Sequence, residues 1–209
     1  AIEVYYQLKG GQADYGLGHS KKYGLIQKPN DKKYEGLYKE WNSENPVHLI
    51  GHSRSGPIVL RASVNNSAVK SVVTWASVEA LSYMWERVDF NLDEWLATSE
   101  YKVMNGRTKQ LMTVNASLYH DYMDNERELS MEYISNKIDI PVLILHGDSD
   151  LAIKSEAAYI LHSNLPTSKV EIIKNGDHVF GGRHPCTIND MPKQSIELCE
   201  RTIEFLKKG

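Results

Sequence analysis

This sequence has few cysteines, no long apolar runs and only a small net charge. Among its 209 residues there are only two cysteines, Cys186 and Cys199, which are too few for a disulfide framework and favour reduced thiols in a cytoplasmic protein. Apolar runs stay well short of the roughly 18–20 residues that span a bilayer, so we expect no membrane span. The formal net charge of −3 offers no basis for binding nucleic acid.

Strand-like and helix-like segments alternate along the chain. Apolar and β-branched runs predict strands near residues 2–8, 47–52, 70–76, 141–147 and 169–174. Apolar spacings of three and four residues predict helices over residues 32–41, 155–162 and 190–208. The buried stripe of the last helix is predicted to be Ile196, Cys199, Ile203 and Leu206. Strands that alternate with helices favour a parallel sheet, so we predict a single α/β domain over residues 1–209.

The segment from residue 46 to residue 60 has the pattern of a strand that turns sharply into a helix. Ser53 lies at the apex, with the small residues Gly51 and Ser55 two positions before and after it. This is a G-x-S-x-G type of turn, in which the backbones pass closely and the serine hydroxyl is exposed. The backbone N–H of Arg54 is the natural first donor to a developing oxyanion. Taken alone, the motif also fits an ordinary Ser/Gly turn before a helix.

A candidate acid and a candidate base follow this serine along the chain, each just past the end of a predicted strand. A serine hydroxyl needs a neighbouring base, which is itself oriented by a third group. Asp150 comes directly after the most apolar predicted strand, and His178 comes after the last one. Asp148 and His184 are the competing choices, which we interpret as a turn residue and a supporting or structural residue. The sequence therefore predicts a triad of Ser53, Asp150 and His178.

A long polar segment with scattered aromatic residues separates the third and fourth predicted strands. It has about 60 residues, which is more than a plain crossover requires. We predict that residues 80–138 form a helical cap or lid over the active site, and one ordinary crossover helix with loops is the alternative. His52, Trp75, Trp85 and Trp95 are candidate substrate-binding residues, although each tryptophan could equally be part of the core.

From about residue 47 onward the chain resembles the α/β-hydrolase superfamily, in particular the dienelactone-hydrolase and prolyl-oligopeptidase-like esterases. The resemblance lies in residues 51–56 (GHSRSG), 72–78 (VVTWASV), 141–150 (PVLILHGDSD) and 176–185 (GDHVFGGRHP). It implies an α/β-hydrolase fold with a shortened, mostly parallel sheet flanked by helices. It also implies a small-molecule ester substrate and no cofactor.

Residues 2–53, by contrast, are similar to the staphylococcal and bacillary triacylglycerol lipases. The matching pieces include Tyr5-Tyr6, Asp14-Tyr-Gly, Tyr34-Glu-Gly and the run from Val47 to Ser53. These lipases bind a structural zinc in this region. His19 matches one ligand position, but Leu25 stands where a second histidine would be and the upstream aspartate has no counterpart. We therefore predict that no metal is bound.

The chain is short before its nucleophile. Only 52 residues precede Ser53, whereas members of the family usually have more, including early strands and a loop that donates the second oxyanion N–H. A chain recombined from two hydrolase relatives would explain both this shortness and the split resemblance, and this is a hypothesis. An open edge beside the first strand is also a surface on which a homodimer could form.

Together these features predict a serine-dependent carboxylic ester hydrolase of the esterase or lipase type that acts through an acyl-enzyme. The alternative is a truncated or recombined hydrolase scaffold with weak or no activity. Long-chain lipase, short-chain esterase and peptidase-like acyl hydrolase remain open as substrate classes.

Overall fold

The computed structural model describes residues 10–24, 26–36, 40–105, 109–183 and 190–208. The chain divides into two compact units, residues 1–46 and residues 47–209. The single domain predicted over residues 1–209 stays a prediction. The strand predicted near residues 2–8 lies outside the described residues.

In its described residues, the first unit contains one small antiparallel pair of strands and one helix. Strand β1 (Gly11–Gln12) pairs with β2 (Lys33–Tyr34), and helix α1 (Leu17–Tyr23) lies between them in the chain. The helix predicted over residues 32–41 is wrong in its described part, because Lys33 and Tyr34 are paired as a strand. Gly36 follows with a φ of 84°, a left-handed conformation that does not continue a helix.

The second unit is built on a four-stranded parallel sheet in the order β3-β4-β7-β8. The four strands are β3 (Val47–His52), β4 (Val69–Trp75), β7 (Val142–Gly147) and β8 (Ser168–Ile173). Residues 76–141, between β4 and β7, form a long insertion. The long helices outside this insertion are α2 (Ser55–Ser63), α8 (Glu156–Asn164) and α9 (Lys193–Lys208). These strands and the helices α8 and α9 lie where the sequence predicts them.

The register of the sheet brings the carboxyl ends of its strands to one edge. His52 pairs with Trp75 at the end of β3 and β4, and Gly147 pairs with Ile173 at the end of β7 and β8. Loops that leave these ends therefore meet above the same edge. This is the edge at which open α/β sheets place their ligands.

Apolar clusters cover both faces of the sheet. One contains Leu60, Ile134, Ile144 and Leu161 with their neighbours on α2 and α8. The other contains Val73, Leu143, Leu145 and Phe180, with Leu198 of α9. Strand β7 is buried along its whole length, as expected for an inner strand of a parallel sheet.

The segment between β4 and β7 contains helices and a β-hairpin. Its elements are α3 (Tyr83–Glu86), α4 (Leu92–Thr98), β5 (Glu100–Met104), β6 (Leu111–Asn115), α5 (Ser117–Asp124), α6 (Glu126–Leu129) and α7 (Met131–Lys137). The antiparallel hairpin β5-β6 is an addition to the helical cap that the sequence predicts. Ile134 of helix α7 and Ile138, which directly follows it, pack into the core of the sheet, so α7 acts as a crossover helix. A cap role for the elements before α7 stays a prediction.

Candidate active site

Ser53 occupies a strained turn between β3 and α2. Its φ is 56°, in the left-handed region that a residue with a side chain seldom adopts, at a cost of about 1–2 kcal/mol. Backbone hydrogen bonds on both sides of the residue hold it there. The Ser53 N–H donates to the Trp75 carbonyl at 2.9 Å, and the Ser53 carbonyl accepts the Gly56 N–H at 3.1 Å. The turn therefore has the geometry of a nucleophile elbow.

Two glycines make this turn possible because no side chain fits beside them. A Cβ on Gly51 would lie 2.5 Å from the Ser55 carbonyl oxygen, and a Cβ on Gly56 would overlap the Ser77 hydroxyl. Ser77 is fully buried and donates to the Val78 carbonyl, so it has little room to move away. The small residues of the motif thus allow α2 to pack closely against β3 and against the segment after β4.

The structure brings Ser53, His178 and Asp150 together in one chain of hydrogen bonds. His178 Nε2 lies 3.1 Å from Ser53 Oγ, and His178 Nδ1 lies 2.8 Å from Asp150 Oδ2. A carboxylate only accepts, so Nδ1–H donates to Asp150 and Nε2 is left to accept the serine hydroxyl proton. The Asp150 side chain is fully buried, whereas that of His178 is 25% exposed. The His178 ring is therefore reachable from solvent, and the Asp150 carboxylate behind it is not.

The loop after β7 stabilises the ionised form of Asp150. Its Oδ1 atom accepts the N–H groups of Ala152 at 2.8 Å and Ile153 at 2.9 Å. Burial alone would raise the pKa of Asp150, but the hydrogen bonds from His146, His178 and the Ile153 N–H outweigh it and hold this pKa well below its ordinary value. Asp150 is therefore a carboxylate at neutral pH, as a group that orients a histidine should be.

Asp148 joins the loops that carry the acid and the base. Its Oδ1 atom accepts the Asn175 N–H at 2.6 Å and the Ser149 hydroxyl at 2.9 Å. The same loops touch at Gly147, where a Cβ would overlap the Gly176 backbone. These contacts fit the turn role that the sequence suggests for Asp148. His184, the competing base, lies outside the described residues.

His52 contacts the base, although it was predicted as a substrate-binding residue. Its Nε2–H donates to the His178 backbone carbonyl at 2.8 Å, and the two imidazole rings lie 4.8 Å apart. His52 thus ties the elbow to the loop that carries His178. The sequence names this residue only because it precedes Ser53, and its partner depends on the meeting of two distant loops.

Arg54 links the elbow to the insertion. Its backbone N–H is at the N-terminal end of α2, where an oxyanion donor is expected. Its guanidinium Nη1 lies 3.1 Å from the sulfur of Met84 on α3. The first helix of the insertion therefore lies beside the residue that follows Ser53.

Two of the three tryptophans predicted as substrate-binding candidates donate hydrogen bonds within the fold. The Trp75 Nε1–H donates to the Thr202 hydroxyl on α9 at 3.1 Å. Trp95 is 1% exposed, and its Nε1–H donates to the Val114 carbonyl of β6 at 3.0 Å. Both indoles are thus held by hydrogen bonds within the fold, and a substrate-binding role for them stays a prediction.

Trp85, the third candidate, is half-buried on α3. It lies at the centre of an aromatic cluster within the insertion, with ring centroids 5.5 Å from Tyr119 and 5.1 Å from Tyr122. A separate cavity of about 440 Å³ in the insertion is lined by residues that include Trp95 and Tyr101. None of the three residues of the hydrogen-bonded chain lines that cavity.

Among the described residues, no group of three or more His, Cys, Asp or Glu side chains could hold a metal ion. The side chain of His19 is not among those described, so the absence of zinc stays a prediction. No helix in the described part of the chain is long and apolar enough to cross a membrane.

Comparison with known families matches the N-terminal part of the chain. A family model described as "Lipase-like, C-terminal domain" matches residues 1–66. A lipase of Staphylococcus hyicus is 51% identical over 59 residues, which is 28% of this chain and 9% of that lipase. The chain therefore matches only a small part of the length of this relative. The resemblance of residues 2–53 to staphylococcal lipases is confirmed.

Solved structures match a larger part of the chain at low identity. The esterase Est1E from Butyrivibrio proteoclasticus has a TM-score of 0.55 and 18% identity, over 78% of this chain and 61% of that one. A monoacylglycerol lipase from Paleococcus ferrophilus has a TM-score of 0.53 and 17% identity, over 84% of this chain and 78% of that one. The parallel sheet, its flanking helices and these neighbours together show that the chain has the α/β-hydrolase fold.

Proposed function

We propose that this chain is a serine-dependent carboxylic ester hydrolase. The observation that carries the proposal is the hydrogen-bonded chain from Ser53 through His178 to the buried Asp150. A serine on a strained turn, a histidine with a free acceptor nitrogen and an ionised aspartate are the parts that acyl transfer requires. The lipase and esterase names of the similar proteins support the same class of reaction.

The geometry allows a two-step reaction. His178 Nε2 takes the Ser53 proton as Oγ attacks the ester carbonyl carbon, and Asp150 stabilises the imidazolium that forms. The Arg54 N–H donates to the oxyanion. The imidazolium then gives its proton to the departing alcohol, which leaves an acyl group on Ser53. A water molecule, deprotonated by His178, releases the acid and restores the serine.

The proposed substrate is a small-molecule ester, and the insertion supplies the surroundings of its acyl or alcohol group. The contact between Arg54 and Met84 puts α3 beside the nucleophile, and the half-buried Trp85 follows on the same helix. A structure of Est1E contains ferulic acid, so a test panel includes methyl ferulate beside p-nitrophenyl esters of increasing chain length. The ranking of these esters assigns the acyl preference.

Labelling by a fluorophosphonate, read by intact mass, tests the proposal. We expect one adduct on the wild type, none on Ser53→Ala, and an unchanged adduct on Ser55→Ala, which makes the same substitution two residues away. Loss of ester hydrolysis should follow the loss of the adduct.

A catalytically inactive scaffold is the second candidate, because the donor that completes the oxyanion hole is not assigned. One missing donor costs on the order of 10²–10³ in rate. A wild type that folds but gives no adduct would exclude the hydrolase proposal and favour the scaffold. An adduct with very slow turnover would indicate an activated serine with an incomplete oxyanion hole.

A further inference from the structure

His146 is a buried histidine at the end of β7 that the proposed reaction does not use. Its side chain is fully buried, and Nε2 lies 2.9 Å from the Ile153 carbonyl oxygen. A carbonyl only accepts, so Nε2 carries a proton. Nδ1 is buried and has no hydrogen-bond partner among the described residues, so a second proton there would lack an acceptor. The imidazole therefore presents one N–H group in a fixed direction.

The same N–H faces the carboxylate of Asp150. His146 Nε2 lies 3.4 Å from Asp150 Oδ2, the oxygen that accepts His178 Nδ1–H at 2.8 Å. The other oxygen, Oδ1, already accepts the N–H groups of Ala152 and Ile153. The His146 N–H thus bonds to the Ile153 carbonyl and faces, at a longer distance, the oxygen that holds the proposed base. Its bond to the Ile153 carbonyl also closes the loop in which Asp150 lies.

We propose that His146 is a positioning residue for the acid and the base. Its single N–H, shared between the Ile153 carbonyl and Asp150 Oδ2, holds the loop of residues 148–153 and limits the basicity of the carboxylate toward His178. The depressed pKa of Asp150, to which the hydrogen bond from His146 contributes against the effect of burial, agrees with this role. Its effect on turnover rests on the ester hydrolysis proposed above, whereas its effect on the His178–Asp150 pair does not.

Other titratable groups also face the pair. The negative charge of Asp150 acts on the Tyr83 hydroxyl of α3, and the His52 ring contacts His178. Both groups are unchanged in variants of His146, so such variants isolate the His146 donor. Loss of that donor leaves the negative charge of Asp150 less stabilised, which favours the protonated form of the neighbouring imidazole.

The test compares His146→Leu, which removes the donor, with His146→Gln, whose amide N–H can stand where Nε2–H lies. His162→Leu is the matched control, because His162 is exposed on α8 and its ring bonds only to Ser168 among the described residues. The low-field proton resonance of the His178 Nδ1–H, followed against pH, reports on the pair without any substrate. The pH profile of kcat/KM reports on turnover.

For His146→Leu we expect the midpoint of the resonance titration and the acid limb of kcat/KM to move up by about 0.5–1 pH unit. We also expect kcat/KM at neutral pH to fall roughly tenfold, mainly through kcat. His146→Gln and His162→Leu should keep the wild-type midpoint. If His146→Leu does not fold, His146→Asn, whose shorter amide does not reach Ile153, replaces it in the comparison.

An unchanged midpoint in a folded His146→Leu or His146→Asn would overturn the proposal, whatever the activity. A moved midpoint that His146→Gln does not restore would overturn it as well. A moved midpoint in a protein that hydrolyses no ester would support the role of His146 and contradict the proposed function. The two proposals therefore fail by different measurements.

Discussion

At the scale of single residues, Asp148 and Asp150 show how two carboxylates in one loop acquire different tasks. Asp148 accepts the Asn175 N–H and so joins two loops. Asp150 is buried, accepts two backbone N–H groups through one oxygen and faces His178 with the other. Backbone geometry, rather than side-chain chemistry, separates a turn residue from the proposed acid.

Substitution of these two aspartates should therefore give opposite results. Asp150→Asn keeps the size of the side chain but removes the charge, so we expect kcat/KM for p-nitrophenyl esters to fall about 10³–10⁴-fold. Asp148→Ala loses a turn contact, so we expect the free energy of unfolding to fall by about 1–2 kcal/mol with kcat nearly unchanged. Steady-state kinetics and urea unfolding measure both quantities. Comparable losses of kcat in the two variants would contradict this assignment.

The residues of the candidate site differ in how far the sequence could identify them. Ser53, Asp150 and His178 each follow a strand end, and a parallel sheet brings such ends to one edge. The contacts of His52 and His146 with the site were not predicted, because they depend on where two loops cross. A spacing pattern cannot supply that information.

At the scale of helices and strands, the sequence predicts an element correctly where both of its faces are buried. The apolar run of β7 predicts its strand because both faces are covered. The helix predicted over residues 32–41 is wrong in its described part, since Lys33 and Tyr34 pair with β1. The hairpin β5-β6 was also missed, because its strands are largely exposed and have no continuous apolar run.

Helix α9 shows a subtler error. The predicted stripe includes Ile196 and Ile203, which are 42% and 50% exposed, whereas the buried residues are Leu198 and Thr202. Thr202 is buried because its hydroxyl accepts the Trp75 Nε1–H. A pattern of apolar residues assigns every polar residue to the surface, including one that is buried with a hydrogen-bond partner.

The packing of α2 gives a prediction at this scale. Gly56→Ala would place a methyl group against the Ser77 hydroxyl, so we expect the free energy of unfolding to fall by about 1–3 kcal/mol. Fluorophosphonate labelling of Ser53 should fall too, because α2 would be displaced. Adding Ser77→Gly removes the clashing atoms and should restore both quantities, whereas Ser77→Ala leaves its Cβ in the way and should not.

At the scale of the whole molecule, several carboxylates are stabilised in their charged form. Burial alone would raise the pKa values of Asp150, Glu171 and Asp177, but hydrogen bonds and ion pairs outweigh it and lower all three. The ion-pair partners include Arg201 for Glu171 and Arg183 for Asp177. A group whose pKa is lower in the folded chain favours folding above its ordinary pKa and loses that contribution as the pH falls.

We therefore expect the chain to lose stability in acid. The contribution of these three carboxylates to the free energy of unfolding should be nearly constant from about pH 7 to about pH 5. At pH values below about 4, near the ordinary pKa of a carboxyl group, this contribution should decrease. Urea midpoints across this range measure it. Asp150→Asn should show a smaller loss, and an identical acid dependence in that variant would mean that Asp150 contributes nothing.

Other properties of the whole molecule stay predictions: the cytoplasmic location, a homodimer formed at an open sheet edge, and the origin of the chain by recombination. Light scattering in solution gives the oligomeric state directly. The hypothesis of recombination would fail if a natural homologue carried both halves at this length.

The insertion between β4 and β7 has a consequence for engineering. The groups proposed for chemistry all leave the sheet on other loops, and the one described side-chain hydrogen bond from the elbow to the insertion runs from Arg54 to Met84. Transplanting a foreign lid between Arg87 and Ser130, which keeps α3 with Tyr83 and Met84 in place, should thus retarget the acyl preference while α7, the elbow and the acid–base pair keep their geometry. We therefore propose that the segment that selects the substrate can be exchanged without changing the groups that break the ester bond.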